Sequence, residues 1–276
     1  VRLAKFAGGI AVAHGDGWLR LPQLSGFQSV TRLADIVATD RLRELAEAVE
    51  RQSTDLDLVA VDLDAAGALI DRDADIWGVG LNYAGHANDL STPRPASGPG
   101  SYLRPGGCLI GNGEHIELPT RTQRVTAEGE LGLIIGTTCK NVVRDDWRSV
   151  VAGVTTVLDM TAEDVIRENP RYIPWAKGFD TFCSIGPVLV TLDEVDDEAL
   201  RSVRISTIRN GETIASATPA AMKYDLGYIV EYFSAGRTLR PGTVICTGTP
   251  GAAVINPGDT VTAVVEGIGT LTHPVK

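Results

Sequence analysis

The segment Glu128-Gly129-Glu130 sets two like charges at the entry of an apolar, partly β-branched run, Leu131-Gly132-Leu133-Ile134-Ile135, that ends at Gly136. The length of that run and its bounding glycine predict a strand. Side chains in a strand alternate faces and each residue rises roughly 3.3 Å, so Glu128 and Glu130 share one face roughly 6.6 Å apart. Two carboxylates carried toward a core repel one another. They stay in water on a solvated strand face, raise one another's pKa, or converge on a cation. All-oxygen ligation suits a hard divalent ion such as Mg²⁺, and a third ligand is then expected. Gly153 to Leu158 reads as the next strand, with Asp159 at its end, where it can supply that ligand or else cap the helix that follows.

With 276 residues the chain can bury a large core, and we expect a small N-terminal α+β appendage over residues 1–70 and a catalytic domain over 71–276. The formal net charge of −10 argues against nucleic acid, which is bound through phosphate neutralisation by Lys and Arg. Cys108, Cys139, Cys183 and Cys246 lie far apart with no C-x-x-C, so neither a zinc site nor a disulfide framework is indicated, and reduced thiols in the cytoplasm are expected. No run approaches the roughly 18 apolar residues of a membrane span. In the appendage, Phe6 to Ala13 reads as the first strand, Gly15-Asp16-Gly17 separates two strands, and Leu42, Leu45, Ala46 and Val49 have helical spacing with Asp40 placed to cap.

Ile76 to Leu81 has a buried-strand pattern and leads into Asn82-Tyr83-Ala84-Gly85-His86-Ala87-Asn88-Asp89. The glycines complete no dinucleotide fingerprint, and no P-loop or G-x-S-x-G elbow occurs. His86 and Asp89 are one helical turn apart, so a carboxylate can orient an imidazole whose pKa near 6.5 suits a general base; an incidental pair on a surface turn has the same spacing. The Pro/Gly-rich stretch Ser91 to Gly100 is read as a lid over that dyad, or else as a solvent linker. Thr161-Ala162-Glu163-Asp164 has the form of a capping box opening a short helix to about Asn169. Lys177, flanked by Trp175, Ala176 and Phe179, reads as a salt-bridge partner for buried carboxylates or as an electrophile near a developing anion. Ile185 to Val190 reads as another strand, Asn210-Gly211 as a hairpin turn, and Thr218-Pro219 as the start of a helix with Met222, Leu226, Ile229, Val230 and Phe233 on one stripe.

Taken in order, Gly80-Leu81-Asn82-Tyr83 with His86, Glu128-Gly129-Glu130-Leu131, Asp159 before Thr161-Ala162, Lys177 to Phe182 before Gly186-Pro187, Thr247-Gly248-Thr249-Pro250, and Pro257-Gly258-Asp259 before Glu266-Gly267-Ile268-Gly269 resemble the fumarylacetoacetate hydrolase superfamily from about Gly78 to Val275. The resemblance implies a β-rich α+β fold, a mixed β-roll, and a homodimer. It implies Mg²⁺ or Mn²⁺ on Glu128, Glu130 and Asp159, a catalytic dyad of His86 and Asp89 with Lys177 as the active-site lysine, and substrate contacts from Tyr83 and Thr249. Against the family pattern, the dyad acid is Asp89 where glutamate is common, Arg104 in Tyr102-Leu103-Arg104-Pro105 stands where lysine is common, and Glu163 stands where arginine is usual. Arginine binds carboxylates in bidentate fashion where lysine is a point charge, so Arg104 is counted among the substrate contacts.

The expected chemistry is metal-dependent hydrolysis of a carbon–carbon bond in a 1,3-dicarbonyl 2-oxo acid such as an acylpyruvate, through a metal-bound enolate. The same enolate serves oxaloacetate decarboxylation or the isomerisation of an unsaturated oxo-diacid. A reading of a different class is a binding module with a structural ion, which melts in a metal-dependent way without turnover.

Overall fold

Short apolar runs punctuated by glycine and proline turns assemble into two sheets. The structure, a computed structural model, describes residues 1–6, 9–53, 56–85 and 97–276, the side chain of Thr39 excepted. The first strands are β1 (Arg2–Phe6), β2 (Gly9–His14) and β3 (Gly17–Arg20). There follow β4 (Ile76–Gly80), β5 (Gly100–Arg104), β6 (Leu109–Ile110), β7 (Val125–Ile135), β8 (Val151–Ala162) and β9 (Cys183–Thr191). The hairpin β10 (Ile205–Arg209) and β11 (Glu212–Ala217) precedes β12 (Val244–Cys246), β13 (Ala252–Ile255), β14 (Thr260–Val265) and β15 (Gly269–Pro274). The α-helices that lie wholly among the described residues are α1 (Thr39–Gln52), α2 (Glu163–Glu168), α3 (Ile173–Ala176), α4 (Asp197–Ser202) and α5 (Leu226–Ser234). The fold is α+β and rich in strands.

The large sheet runs β3-β2-β1-β9-β8-β7-β12-β4-β5, with β13 on β7 and β6 on β9, and the small one β11-β10-β14-β15. Strands β10 and β14 lie against β7, so the centre of the large sheet is covered by the small one. Every residue of β7 and of β8 is buried. Both faces of these two strands are therefore packed, polar residues included. Asn210 and Gly211 both have positive φ, 51° and 81°, as the two-residue turn between β10 and β11 requires.

Several local expectations shift once tertiary pairing acts. The N-terminal strand pattern divides into β1 and β2, and β1 pairs with β9 through Leu3↔Leu189 and Ala4↔Val188, so the N-terminal strands extend the large sheet. Helix α1 begins before Asp40, which lies in its first turn and does not cap it. Asp159 is inside β8, which continues to Ala162 because Thr161 and Ala162 pair with Thr126 and Val125. Thr161 is therefore a strand residue and not a cap. The helix expected from Thr218-Pro219 reduces to a single 3₁₀ turn at Pro219–Ala221. The amides of Lys223 and Tyr224 are taken by the backbone and side-chain oxygens of Asn82, and α5 starts afresh at Asp225, whose carboxylate accepts from the Tyr228 amide at 2.9 Å.

Candidate metal centre

The antiparallel register of β7 on β8 sets Glu128 directly opposite Asp159, with Glu130 two residues along on the same face. Directly opposed residues have Cβ atoms about 4.5–5.5 Å apart, which is how a carboxylate pair on one strand and one on the next converge. One oxygen from each of Glu128, Glu130 and Asp159 lies within 4.8 Å of the others, and all three residues are buried. Gly129, between the glutamates, points the other way. Its amide donates to Thr207 Oγ1 of β10 at 2.9 Å, and a Cβ there would meet the Ser206 carbonyl oxygen at 2.7 Å, so only glycine fits between these carboxylates.

Each carboxylate is held by donors from a different part of the chain. Lys177 Nζ stands 2.9 Å from Asp159 Oδ2 and 3.2 Å from Glu128 Oε2, and donates to Thr161 Oγ1 at 2.7 Å. Thr161 and Thr126 donate to Glu128 Oε1 at 3.1 and 3.2 Å, and the Gly248 amide donates to Glu130 Oε2 at 2.9 Å. The Tyr102 hydroxyl donates to Asp159 Oδ2 and Arg104 Nη2 to Asp159 Oδ1. A Cβ on Gly78, which pairs with Tyr102 across β4 and β5, would fall within that phenol ring, so the glycine makes room for the ring over the site.

These contacts fix the electrostatics. Burial pushes the Glu130 carboxyl well above the usual range, and the neighbouring Asp159 and Glu128 charges add to this against Lys177. Asp159 is also penalised by burial, but Arg104 and Lys177 outweigh that and hold it below the ordinary value. Burial disfavours the Lys177 ammonium, yet Asp159 and Glu128 raise its pKa above the usual lysine value. With all three carboxylates ionised, as metal ligands must be, they outnumber Lys177 and Arg104 by one negative charge. A carboxylate offers about four lone-pair sites, and each of the three keeps at least one after its hydrogen bonds are counted. A buried all-oxygen set with spare lone pairs and excess negative charge fits a hard divalent cation.

Glu128, Glu130, Lys177 and Thr249 line a cavity of about 450 Å³ whose wall also includes Thr161, Val79, Leu81 and, from α2 and the segment after it, Glu163, Ile166, Arg167, Pro170 and Ile173. A second cavity of about 470 Å³ lies between Arg144, Asp197, Pro219 and Asp225, away from the triad. Two of the expected substrate contacts are placed elsewhere. Arg104 does not line the cavity: its guanidinium is fully buried behind Asp159, and Nη1 donates to the carbonyls of Lys177 and Phe182, the latter at 2.6 Å. The carboxylate it grips is that of Asp159. Tyr83 is buried beside Glu130, and its hydroxyl meets no acceptor among the described residues; burial first, then the Glu130 charge, raises its pKa. His86, Asp89 and residues 91–96 of the loop read as a lid lie outside the described residues.

Tyr102 and Thr161 escape the sequence reading, although a signal exists. Tyr102 shares a strand face with Arg104, and Thr161 shares one with Asp159, each by spacing of two.

Residues 75–276 match the family model described as fumarylacetoacetate (FAA) hydrolase C-terminal. A Mycobacterium tuberculosis protein, Rv2993c, is 40% identical over 198 residues, 71% of this chain and 73% of its own. Human mitochondrial oxaloacetate tautomerase FAHD2B is 32% identical over 206 residues, 71% of this chain and 65% of its own. Over 100% of this chain and 98% of the other, the structure superposes with a TM-score of 0.83 and 27% identity on maleylpyruvate hydrolase from Sphingobium sp. SYK-6 in complex with manganese(II) and pyruvate. The acidic triad, the surrounding donors and these likenesses agree: the chain belongs to the fumarylacetoacetate hydrolase family, whose members are enzymes.

Proposed function

We propose that the protein is a divalent-metal-dependent hydrolase that cleaves a carbon–carbon bond in a 1,3-dicarbonyl 2-oxo acid of the acylpyruvate type. The observation that supports this most is the buried triad of Glu128, Glu130 and Asp159, of which Glu128 and Glu130 line the same cavity as Lys177. The structural neighbour named a maleylpyruvate hydrolase, with manganese and pyruvate bound, fits the same reading. Bound at the triad, Mg²⁺ or Mn²⁺ supplies Lewis-acid charge for the oxygens of a 2-oxo acid head group. Lys177, kept protonated by Asp159 and Glu128, sets an ammonium where negative charge develops on the head group. Thr249 stands on the cavity wall for the substrate carboxylate. His86, oriented by Asp89, takes a proton from water, and the water oxygen bonds to the distal carbonyl carbon. As the carbon–carbon bond breaks, its electron pair passes to the pyruvate half, which leaves as the enolate and is then protonated; the other product is a carboxylic acid.

A second reading, tautomerisation, isomerisation or decarboxylation of an oxo-diacid such as oxaloacetate, is favoured by the human relative named an oxaloacetate tautomerase. Incubation with acetylpyruvate and with oxaloacetate, with Mg²⁺ or Mn²⁺ and with chelator, in H₂¹⁸O, separates the two. Hydrolysis gives pyruvate and ¹⁸O-labelled acetate from acetylpyruvate in a metal-dependent way, and His86→Ala abolishes it. Full activity after His86→Ala or in chelator, or turnover of oxaloacetate alone, refutes the hydrolase.

A further inference from the structure

We propose that Arg167, held in place by Glu163, is the residue that selects a substrate bearing a second carboxylate at the end remote from the metal triad. The proposal rests on the 2-oxo acid reading above for the near end of the ligand.

Strand β8 carries Asp159 and Thr161 and then turns into α2 at Glu163, so the first turn of that helix continues the wall of the same cavity. Glu163 is itself buried, and both of its oxygens are taken. Arg124 Nε donates to Oε2 at 2.7 Å, while Arg167 Nε donates to Oε1 at 2.7 Å with Nη2 on the same oxygen. A carboxylate engaged in this way is neither a base nor a spare metal ligand. Its effect is to fix the direction of the Arg167 fork one helical turn further on, with glutamate on the N-terminal side as the favourable i,i+4 order demands.

Arg167 then has a free edge. Its Nη1 meets no acceptor among the described residues, its side chain is 51% exposed, and it lies on the cavity wall. The lining also includes the apolar side chains of Ile166, Pro170, Ile173, Val79 and Leu81. The Arg124, Glu163, Arg167 group carries one positive charge in excess. The cavity thus holds the two triad glutamates for the 2-oxo acid head, apolar side chains for a short carbon chain and, beyond the end of β8, a planar guanidinium edge suited to a carboxylate.

The test uses a matched pair of ligands that differ only at the far end, 2-oxoadipate and 2-oxohexanoate, titrated calorimetrically into the Mn²⁺-loaded protein. A charge-assisted, bidentate contact corresponds to about 10- to 100-fold tighter binding of 2-oxoadipate. Arg167→Gln removes that preference while changing 2-oxohexanoate affinity by less than about threefold, and Arg167→Lys keeps part of it. Arg124→Gln, which touches the same Glu163 from outside the cavity, keeps the preference. Wild-type protein that binds the two ligands equally or binds neither, an Arg167→Gln variant that keeps the preference, or one that weakens both ligands alike, each overturns the assignment. The assay needs no turnover, so a preference that depends on Arg167 alongside absent acylpyruvate hydrolysis overturns the reaction and leaves the anchor standing. Hydrolysis without the preference does the reverse.

Discussion

Arg104→Lys is the substitution that asks most of the site as described. The wild-type fork reaches three oxygens at once, Asp159 Oδ1 through Nη2 and the carbonyls of Lys177 and Phe182 through Nη1, with no exposed surface on the side chain. Lysine keeps the charge but has one nitrogen at the end of its stem, so it serves Asp159 or the carbonyls and not all three. The Phe182 carbonyl still accepts from the Met160 amide at 3.1 Å, so the Lys177 carbonyl is the group left without a donor, at a cost of about 1–3 kcal/mol. For a chain of this size each kcal/mol lowers Tm by about 2–4 °C, so the variant melts roughly 2–12 °C lower. The loss extends to catalysis, because the Lys177 carbonyl is one of the released groups and the position of the Lys177 ammonium depends on it. A displacement of about 1 Å there lowers kcat on the order of 10²-fold. Scanning calorimetry of the metal-free protein and steady-state turnover with Mn²⁺ measure the two effects. A variant that melts within about 2 °C of wild type with unchanged kcat would show that the fork does not hold the Lys177 loop, and the account of Arg104 would fall.

Glu130→Gln should weaken Mn²⁺ binding by more than about 100-fold in calorimetric titration, since outer-shell changes alone reach that size, yet raise the melting temperature of the metal-free protein by relieving a carboxyl that burial, Asp159 and Glu128 all push upward. Gly78→Ala should cost about 1–3 kcal/mol in urea denaturation because its methyl displaces the Tyr102 ring, and Gly78→Ala with Tyr102→Ala should not add the two single costs. His273 is buried with Nδ1 on the Glu114 carbonyl at 2.8 Å, and burial, opposed by that bond, depresses its pKa. Below about pH 6.5 the unfolded chain binds a proton that the folded imidazole refuses, so stability is full above that pH and is lost as pH falls. His273→Leu should therefore melt lower at pH 8 and show a flatter decline of Tm down to pH 5.5; an equal slope in both proteins would count against a buried neutral His273.

What the residues announce by themselves is local. Glu128 and Glu130 on one strand face, and Lys177 among apolar neighbours as a partner for carboxylates, follow from spacing of two and from the cost of a lone buried charge. That Asp159 stands opposite Glu128 does not follow, because it depends on the register of β8, which is set after the chain has passed through residues 136–150. For the same reason Thr161 reads as a cap from its neighbours and becomes a strand residue once Thr126 pairs with it. Arg104 reads as a ligand for a substrate carboxylate, but the orientation of β5 against β4 turns it onto a carboxylate of the protein itself. The pairing of β1 with β9 joins segments almost two hundred residues apart, and no local pattern reveals it.

The contact between Gly129 and β10 makes the strand of the carboxylates the seam along which the two sheets are joined. Successive residues of β7 answer to unrelated demands, charge at 128 and 130 and bareness at 129. Drift at the middle position is therefore closed off mechanically, before any question of catalysis arises. The wall supplied by Ile166, Pro170 and Ile173 belongs to a short stretch of chain that adds no strand to either sheet. An architecture divided in this way hands down its reaction together with its sheets, and leaves the choice of substrate to a segment that can be rewritten without reopening the seam.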